Sequence, residues 1–270
     1  MMRALYAILS TVLLLSQGAS ATDYKPWFGR VLELDLSADC LMQAFTYVDS
    51  HNSPGKHPEF DVFIDLDASL AVWESIAAEI EIIAAETRHQ SFGMDAIKLT
   101  GRYRFFNDIV GDPASLSTGI TLSAIFPAVR RNIATFDHGG IAAECHLAVG
   151  KEWSCMQFWT SRAWTVFAVG VADVGSPWLR CNLAWEHNWW ERHQLELFAD
   201  TIMGLGRNHL NLHNFHGYGS VRYETIDLGA RYRFQFDNGI ALSLGYGYRV
   251  YGRNCPLDAS LIFLKALYPW

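Results

Sequence analysis

The sequence predicts an all-β protein, a single closed antiparallel transmembrane β-barrel of about twelve strands. Apolar and polar residues alternate with a period of two along most of the chain, which is typical of strands whose two faces meet different surroundings. Half of the residues are hydrophobic, yet beyond the N-terminus no apolar run is long enough for a transmembrane helix. Apolar residues spread in this alternating way fit a barrel with an apolar outer face.

The N-terminus has the pattern of a secretory signal peptide. Arg3 supplies a positive charge, residues 4–15 are apolar, and residues 19–21 form an Ala-Ser-Ala cleavage pattern. We therefore assign residues 1–21 to a signal peptide and 41–270 to the barrel. Residues 22–40 are either a periplasmic lead-in or the bulged start of the first strand.

The strands follow one another with the same period. Between residues 60 and 72, Phe60, Val62 and Ile64 share one face, and acidic residues occupy the other. A slip of phase near Ser161 predicts a bulge. The other strands are predicted near residues 41–48, 76–84, 96–106, 116–126, 139–150, 157–171, 179–186, 194–200, 228–236, 240–249 and 262–270.

The last strand carries its apolar residues on one face and ends in an aromatic residue. Ile262, Leu264, Tyr268 and Trp270 lie on that face, whereas Lys265 lies on the other. This ending resembles the C-terminal strand of bacterial outer-membrane β-barrel proteins, although it indicates no specific family. The resemblance implies an outer-membrane location. It also implies two partners, namely membrane lipid and the barrel-insertion machinery that recognises this strand.

Connection lengths and aromatic residues give the barrel an orientation. Outer-membrane barrels have short periplasmic turns, longer extracellular loops and an even number of strands. Short connections are predicted near 73–75, 151–152, 187–190 and 237–239. An intermediate connection is predicted near 107–115. Longer ones are predicted near 49–59, 88–94, 127–138, 172–177, 204–220 and 252–257. Tryptophan favours the membrane interface, and the predicted interface aromatics at the short turns and the C-terminus are Trp73, Trp153, Trp189, Trp190 and Trp270.

Charged residues occupy the face that a barrel turns towards its lumen, and their signs are segregated. The predicted acidic wall consists of Asp61, Asp65, Asp67, Glu79, Glu81, Glu196 and Asp200. The predicted basic wall consists of Lys98, Arg102, Arg104, Arg180, Arg231, Arg233, Arg249 and Lys265. Two interpretations stay open. The walls create a field across a narrow pore for small polar solutes, or the charges pair across strands and fill the interior.

Other side chains offer weaker candidates. Five cysteines remain in an exported chain, and Cys145 with Cys155 is a candidate disulfide across a turn. Alternatively, Cys145 and Cys181 are small apolar residues that face lipid or pack against neighbours. The spacing of His209, His213 and His216 is weak evidence for a metal site, so we expect no metal and no cofactor. The mildly acidic charge balance makes nucleic acid an unfavourable partner.

The sequence favours a porin-like channel or a structural protein of the envelope. An enzyme that hydrolyses lipid or peptide is the alternative, and a surface-binding barrel is the second alternative. His138, His146, His187 and His193 could serve as bases, and Ser154 and Ser161 as nucleophiles. However, the chain has neither a Gly-x-Ser-x-Gly elbow nor a His-Glu-x-x-His motif. We therefore expect no enzymatic activity.

An apolar outer face makes a prediction about solubility. We expect the purified chain to stay dispersed only in detergent or lipid, because the face that meets lipid would otherwise aggregate in water. Size-exclusion chromatography with and without detergent checks this. A single monodisperse peak in plain buffer would contradict the membrane interpretation and favour a soluble β-sandwich with an apolar core.

Overall fold

A computed structural model describes residues 24–50, 54–88, 90–155 and 159–269. Within these ranges twelve antiparallel strands form one closed barrel, which confirms the predicted fold. The predicted signal peptide and Trp270 lie outside the described residues. The strands are β1 Leu34–Val48, β2 Gly55–Trp73, β3 Ile76–Thr87, β4 Gln90–Phe106, β5 Ser115–Ile125, β6 Ile141–Cys155, β7 Trp159–Ala172, β8 Trp178–Trp189, β9 His193–Leu205, β10 Arg222–Gln235, β11 Ala241–Arg253 and β12 Ser260–Pro269.

Closure occurs where the first strand pairs with the last. β1 lies between β2 and β12, and Asp39 of β1 is opposite both Asp65 and Lys265. Each strand therefore has two neighbours, and the barrel has no free edge. A closed barrel satisfies the backbone hydrogen bonds that hydrocarbon cannot satisfy. Among the described residues, no helix has the length and apolar character needed to cross a membrane.

The first strand is longer than its alternating pattern suggested. β1 begins at Leu34, and residues 34–40 pair with β2 and β12. Its register with β2 shifts between Phe45 and Tyr47. Residues 34–40 are thus part of the barrel wall.

Three local predictions were wrong. β6 continues without a turn at 151–152 as far as Cys155, and β4 occupies most of the predicted loop at 88–94. β7 pairs without a register shift past Ser161. Gly150 and the apolar residues of β7 gave misleading signals because they pack against another part of the chain inside the barrel. A Cβ atom at Gly150 would lie 2.7 Å from both Pro26 and Trp27.

The two faces of the barrel differ in polarity as the alternation predicted. Leu183 and Leu242 are 58% and 45% exposed on the outer face. Asp61 and Glu186, in contrast, are almost completely buried and face the interior. Apolar residues therefore cover the outside, and ionisable residues line the lumen.

The two ends of the barrel are built differently. One end, called the turn end, carries the beginning of β1, the end of β12 and the connections 74–75, 107–114, 190–192 and 236–240. The opposite end, called the loop end, carries the connections 126–140, 173–177, 206–221 and 254–259. The two longest described connections, 126–140 and 206–221, therefore lie at the loop end, whereas the longest at the turn end is 107–114.

The candidate disulfide between Cys145 and Cys155 is wrong. Both residues lie on β6, ten positions apart, which in a strand corresponds to roughly 33 Å. A disulfide requires Cα atoms within about 7 Å. Cys145 and Cys155 are free thiols, and both are exposed.

Cysteine labelling tests this arrangement of faces. In liposomes, we expect a water-soluble maleimide to modify Cys155 near the turn end but not Cys145 on the middle of the outer face, which lipid shields. Cys255 should also resist, because burial raises the pKa of its thiol to about 12 and the thiolate is the nucleophile. Peptide mass spectrometry reads the labels, and denatured protein is the control. Equal labelling of Cys145 and Cys155 in liposomes would contradict the placement.

Candidate functional site

The N-terminal segment lies inside the lumen at the turn end. Residues 24–28 are named here the N-terminal plug. Tyr24 and Trp27 are buried. The Tyr24 ring stacks on His146 with 3.7 Å between ring centroids, and its hydroxyl lies 2.5 Å from that of Thr121. His146 and Thr121 belong to neighbouring strands and face inwards, so the plug packs against the inner wall of the barrel.

Lys25 is the main electrostatic anchor of the plug. Its Nζ atom lies 2.9 Å from Glu186 and 3.2 Å from Glu196, two carboxylates that are directly opposite each other on β8 and β9. Their negative charges would repel each other in the absence of a cation. The Lys25 ammonium also lies 4.6 Å from the centre of the Trp164 ring, which adds a cation–π contact.

A second anchor joins Trp27 to the turn between β4 and β5. Asp108 accepts hydrogen bonds from Trp27 Nε1 at 2.9 Å, from the Ser115 hydroxyl and from the Glu152 backbone. Burial alone would raise the pKa of Asp108. These hydrogen bonds, together with Lys151, outweigh burial and hold the pKa below its ordinary value. The anchor is therefore present above the ordinary pKa of aspartate and is lost only as the pH falls through the lowered pKa.

Two arginines of β4 hold the remainder of the plug. Arg102 donates a hydrogen bond to the Lys25 carbonyl oxygen and another to Glu79, the latter at 2.6 Å. The Phe28 ring lies 4.8 Å from the Arg102 guanidinium and 5.1 Å from that of Arg104. Polar and cation–π contacts therefore hold the plug along its length.

The predicted charged residues lie on the inner face of their strands, but they form local pairs. The ion pairs between neighbouring strands include Glu79–Arg102, Glu81–Lys98, Glu196–Arg231, Asp227–Arg249 and Asp39–Lys265. Glu144 of β6 pairs with Arg180 of β8 across the inner face of β7. Asp200 accepts a hydrogen bond from Asn182, and Arg233 lines a small cavity. Pairing between neighbours thus replaces two walls that oppose each other across an open pore.

Several lumen residues were missed from the sequence. Asp39, Glu144, Glu186 and Asp227 all take part in the ion pairs of the interior. The sequence could have identified Glu186 and Asp227, since the alternation of their strands places both on the inner face. Lys25 carried no such signal, because it lies outside the strands.

The loop end is closed by an apolar cluster. Tyr218 and Leu210 from the 206–221 loop pack with Ile133 from the 126–140 loop. The Tyr218 hydroxyl donates a hydrogen bond to the Ile133 carbonyl oxygen at 2.8 Å. Phe136 contributes its ring from a left-handed backbone conformation with φ 57°, which is rare for a bulky residue.

Between the plug and the loop-end cluster lies a cavity of about 220 Å³. Its lining includes Tyr24, Asp95, Phe136, Asp137, Glu144 and Trp178. A smaller cavity of about 70 Å³ lies beside Lys25, Arg233 and Lys265.

Most of the histidines and serines considered for catalysis have structural partners. His138 lies 2.9 Å from the Tyr223 hydroxyl and 3.0 Å from the Ser176 carbonyl oxygen, and burial lowers its pKa to about 4. Ser161 donates to the Glu186 carbonyl oxygen. His187 and His193 lie in a row of rings with Trp185 and Trp189, and exposed Ser154 lies near the end of β6.

The loop histidines do not converge on a shared centre. His209 contacts Asn254, and His213 and His216 are exposed. No group of three or more His, Cys, Asp or Glu side chains in the described ranges could hold a metal ion.

Of the tryptophans predicted at the membrane interface, those that the structure describes lie at the turn end. Trp73, Trp153 and Trp190 are 64%, 48% and 70% exposed. Trp189 stacks on His193 with 5.7 Å between ring centroids. This common level is consistent with an interfacial girdle, whose role stays a prediction.

Comparison with known proteins places the fold among bacterial outer-membrane β-barrels. An outer-membrane channel from Pseudomonas putida F1 aligns with a TM-score of 0.64 and 10% identity, covering 93% of this chain and 99% of that one. The NanC porin aligns with a TM-score of 0.55 and 7% identity, covering 86% and 98%. The translocator domain of the autotransporter NalP from Neisseria meningitidis has a TM-score of 0.51 and 11% identity, covering 92% and 90%.

By sequence, no protein-family model and no curated protein matches the chain. The structural similarity therefore establishes the class of fold, an outer-membrane type of barrel, which porins and translocator domains share. At these identities it does not establish a common activity.

Removal of the Lys25 charge should loosen the plug. In Lys25→Met, Glu186 and Glu196 lose their shared cation while staying buried, so we expect docking of the plug to weaken by about 3 kcal/mol. Hydrogen exchange of residues 24–28, read by mass spectrometry, measures this as lost protection. Lys25→Arg, which keeps the charge, is the matched control. Unchanged protection in Lys25→Met would show that the ion pairs do not anchor the segment.

Proposed function

We propose that this protein is a narrow outer-membrane channel for small polar solutes, and that the N-terminal plug closes its lumen in the structure described here. The observation that carries the proposal is the polar character of the contacts between plug and barrel. Lys25 and Trp27 are held by carboxylates, groups that water can solvate when the segment leaves. Tyr24 and Trp27 also pack against apolar residues of the inner wall, so the polar contacts act beside this packing.

The inner wall also supports conduction. The Glu81–Lys98 and Glu79–Arg102 ion pairs join neighbouring strands, so they belong to the wall itself and do not bridge the middle of the lumen. Withdrawal of the plug would leave these pairs in place and open a polar path as far as the central cavity. Movement of the 126–140 and 206–221 loops would complete the path at the loop end.

The proposed location is the outer membrane, with the turn end in the periplasm and the loop end outside. The apolar outer face, the exposed tryptophans of the turn end and the resemblance of the last strand to the signal read by the insertion machinery support this orientation. Outer-membrane lipid and small polar solutes are the proposed partners. The predicted signal peptide would provide export.

A structural role in the envelope is the second candidate. The apolar cluster at the loop end favours it, because fully buried Leu210 and Tyr218 resemble a permanent core more than a gate. The two candidates differ in one measurable property, conduction.

Planar-bilayer recording tests the channel. We expect the chain with residues 24–28 replaced by Gly and Ser to show discrete, salt-dependent conductance steps that are larger or more frequent than those of the unaltered chain, because the turn end of the lumen is then empty. Arg30→Ser, a change at an exposed residue just outside the plug, is the control and should behave like the unaltered chain. Silent bilayers for both the plugged and the plug-free protein would favour the structural role.

A further inference from the structure

The central cavity contains buried carboxylate oxygens that no protein group in the described structure binds. Asp95 is 5% exposed, lines the cavity and has an unpartnered Oδ1 atom. Glu144 is equally buried; its Oε2 accepts from Trp178 and Arg180, whereas its Oε1 has no partner. Asp137, which enters the cavity from the 126–140 loop, also has an unpartnered oxygen. Unpartnered buried acceptors are unfavourable unless a donor occupies the site.

The charge balance of the cavity also favours a positively charged ligand. Five acidic residues line it, namely Asp95, Asp137, Glu144, Asp200 and Asp227, together with the four bases Lys98, Arg180, Arg231 and Arg249. Lys98 and Arg231 are hydrogen-bonded to Glu81 and Glu196, which lie outside the lining. The bases are thus largely committed to acids of the wall, and the cavity carries an excess of negative charge.

Asp95 lies near the beginning of β4, and the 126–140 loop brings Asp137 to the same cavity. The Asp65 Oδ1 and Asp67 Oδ1 atoms on β2 are also buried without a partner, but neither residue lines the cavity.

The shape of the cavity argues against a bare metal ion. The carboxylates that line it do not form a group of three or more that could hold one, within the described residues. Instead, aromatic rings share the lining, including those of Tyr24, Phe136, Trp178 and Phe263. A volume of about 220 Å³ is many times the roughly 15 Å³ that one water needs on the same measure.

We propose that the central cavity binds a small organic cation, with an ammonium group at Asp95 and Asp137 and a short apolar body against the aromatic rings. The N–H groups of an ammonium supply the donors that the carboxylates lack, and the rings favour both a cation and its alkyl chain. This inference deepens the proposed channel function, on which it rests, by assigning the class of solute.

Equilibrium dialysis tests binding without requiring conduction. Full-length exported protein in detergent is dialysed against isotope-labelled butylammonium, with butanol and butyrate as neutral and anionic probes of the same length. Dialysis is chosen because both ends of the lumen are closed and exchange can be slow. We expect butylammonium alone to be retained at about one molecule per chain.

Three conservative variants locate the site. Asp95→Asn and Asp137→Asn should each weaken retention of butylammonium by about tenfold or more, as expected for loss of a charged hydrogen bond. Asp67→Asn removes an inward carboxylate that does not line the cavity, and it should leave retention unchanged. Circular dichroism confirms that each variant is folded.

The outcomes separate this proposal from the channel function. Failure of the unaltered chain to retain butylammonium, equal retention of butyrate or butanol, or equal losses in Asp67→Asn and Asp95→Asn would overturn the cation site, whatever the bilayer recordings show. Retention that depends on Asp95 would support the site even if no conductance were observed, in which case the channel function alone would fail.

Discussion

The ammonium group of Lys25 lies between Glu186 and Glu196, which are directly opposite each other inside the barrel. A closed barrel turns its apolar side chains outwards and its charges inwards, so charges in the lumen must be neutralised by other groups in the lumen. Across most of the wall, neighbouring strands supply the opposite charge. At Glu186 and Glu196 the wall places two acids together, and the N-terminal segment provides a second cation beside Arg231.

The same requirement explains features that would otherwise look out of place in a charged lumen. Gly150 is small because Pro26 and Trp27 lie against it. Trp164 faces inwards because Trp27 packs edge-on against it, with 6.0 Å between ring centroids. The inner wall is therefore shaped to receive the plug, as well as to carry charge.

The two closures of the barrel differ in composition. Charged and polar contacts hold the plug at the turn end, together with the apolar packing of Tyr24 and Trp27 against Trp164. Buried aromatic and aliphatic side chains hold the loop end together. The central cavity lies between these two closures.

The alternation of residues was enough to predict a barrel of about twelve strands and the inward side for the predicted charges. Asp61, Arg102 and Lys265 face inwards for the same reason that Leu183 faces outwards, because a strand has a strict period of two. Sequence could not determine that opposite charges would pair with neighbours, since pairing depends on register between strands.

Packing against the plug explains the wrong local predictions. Gly150 and the inward apolar residues of β7 are suited to contact the plug, and in the sequence they resemble the signals of a turn and a bulge. Residues 24–28 lack any periodic pattern, and only the tertiary structure places Lys25 beside two carboxylates that lie 161 and 171 positions further along the chain. The sequence by itself thus determined the wall of the barrel, because a wall depends on local alternation. The contents of the lumen were decided by contacts between distant residues, which alternation does not encode.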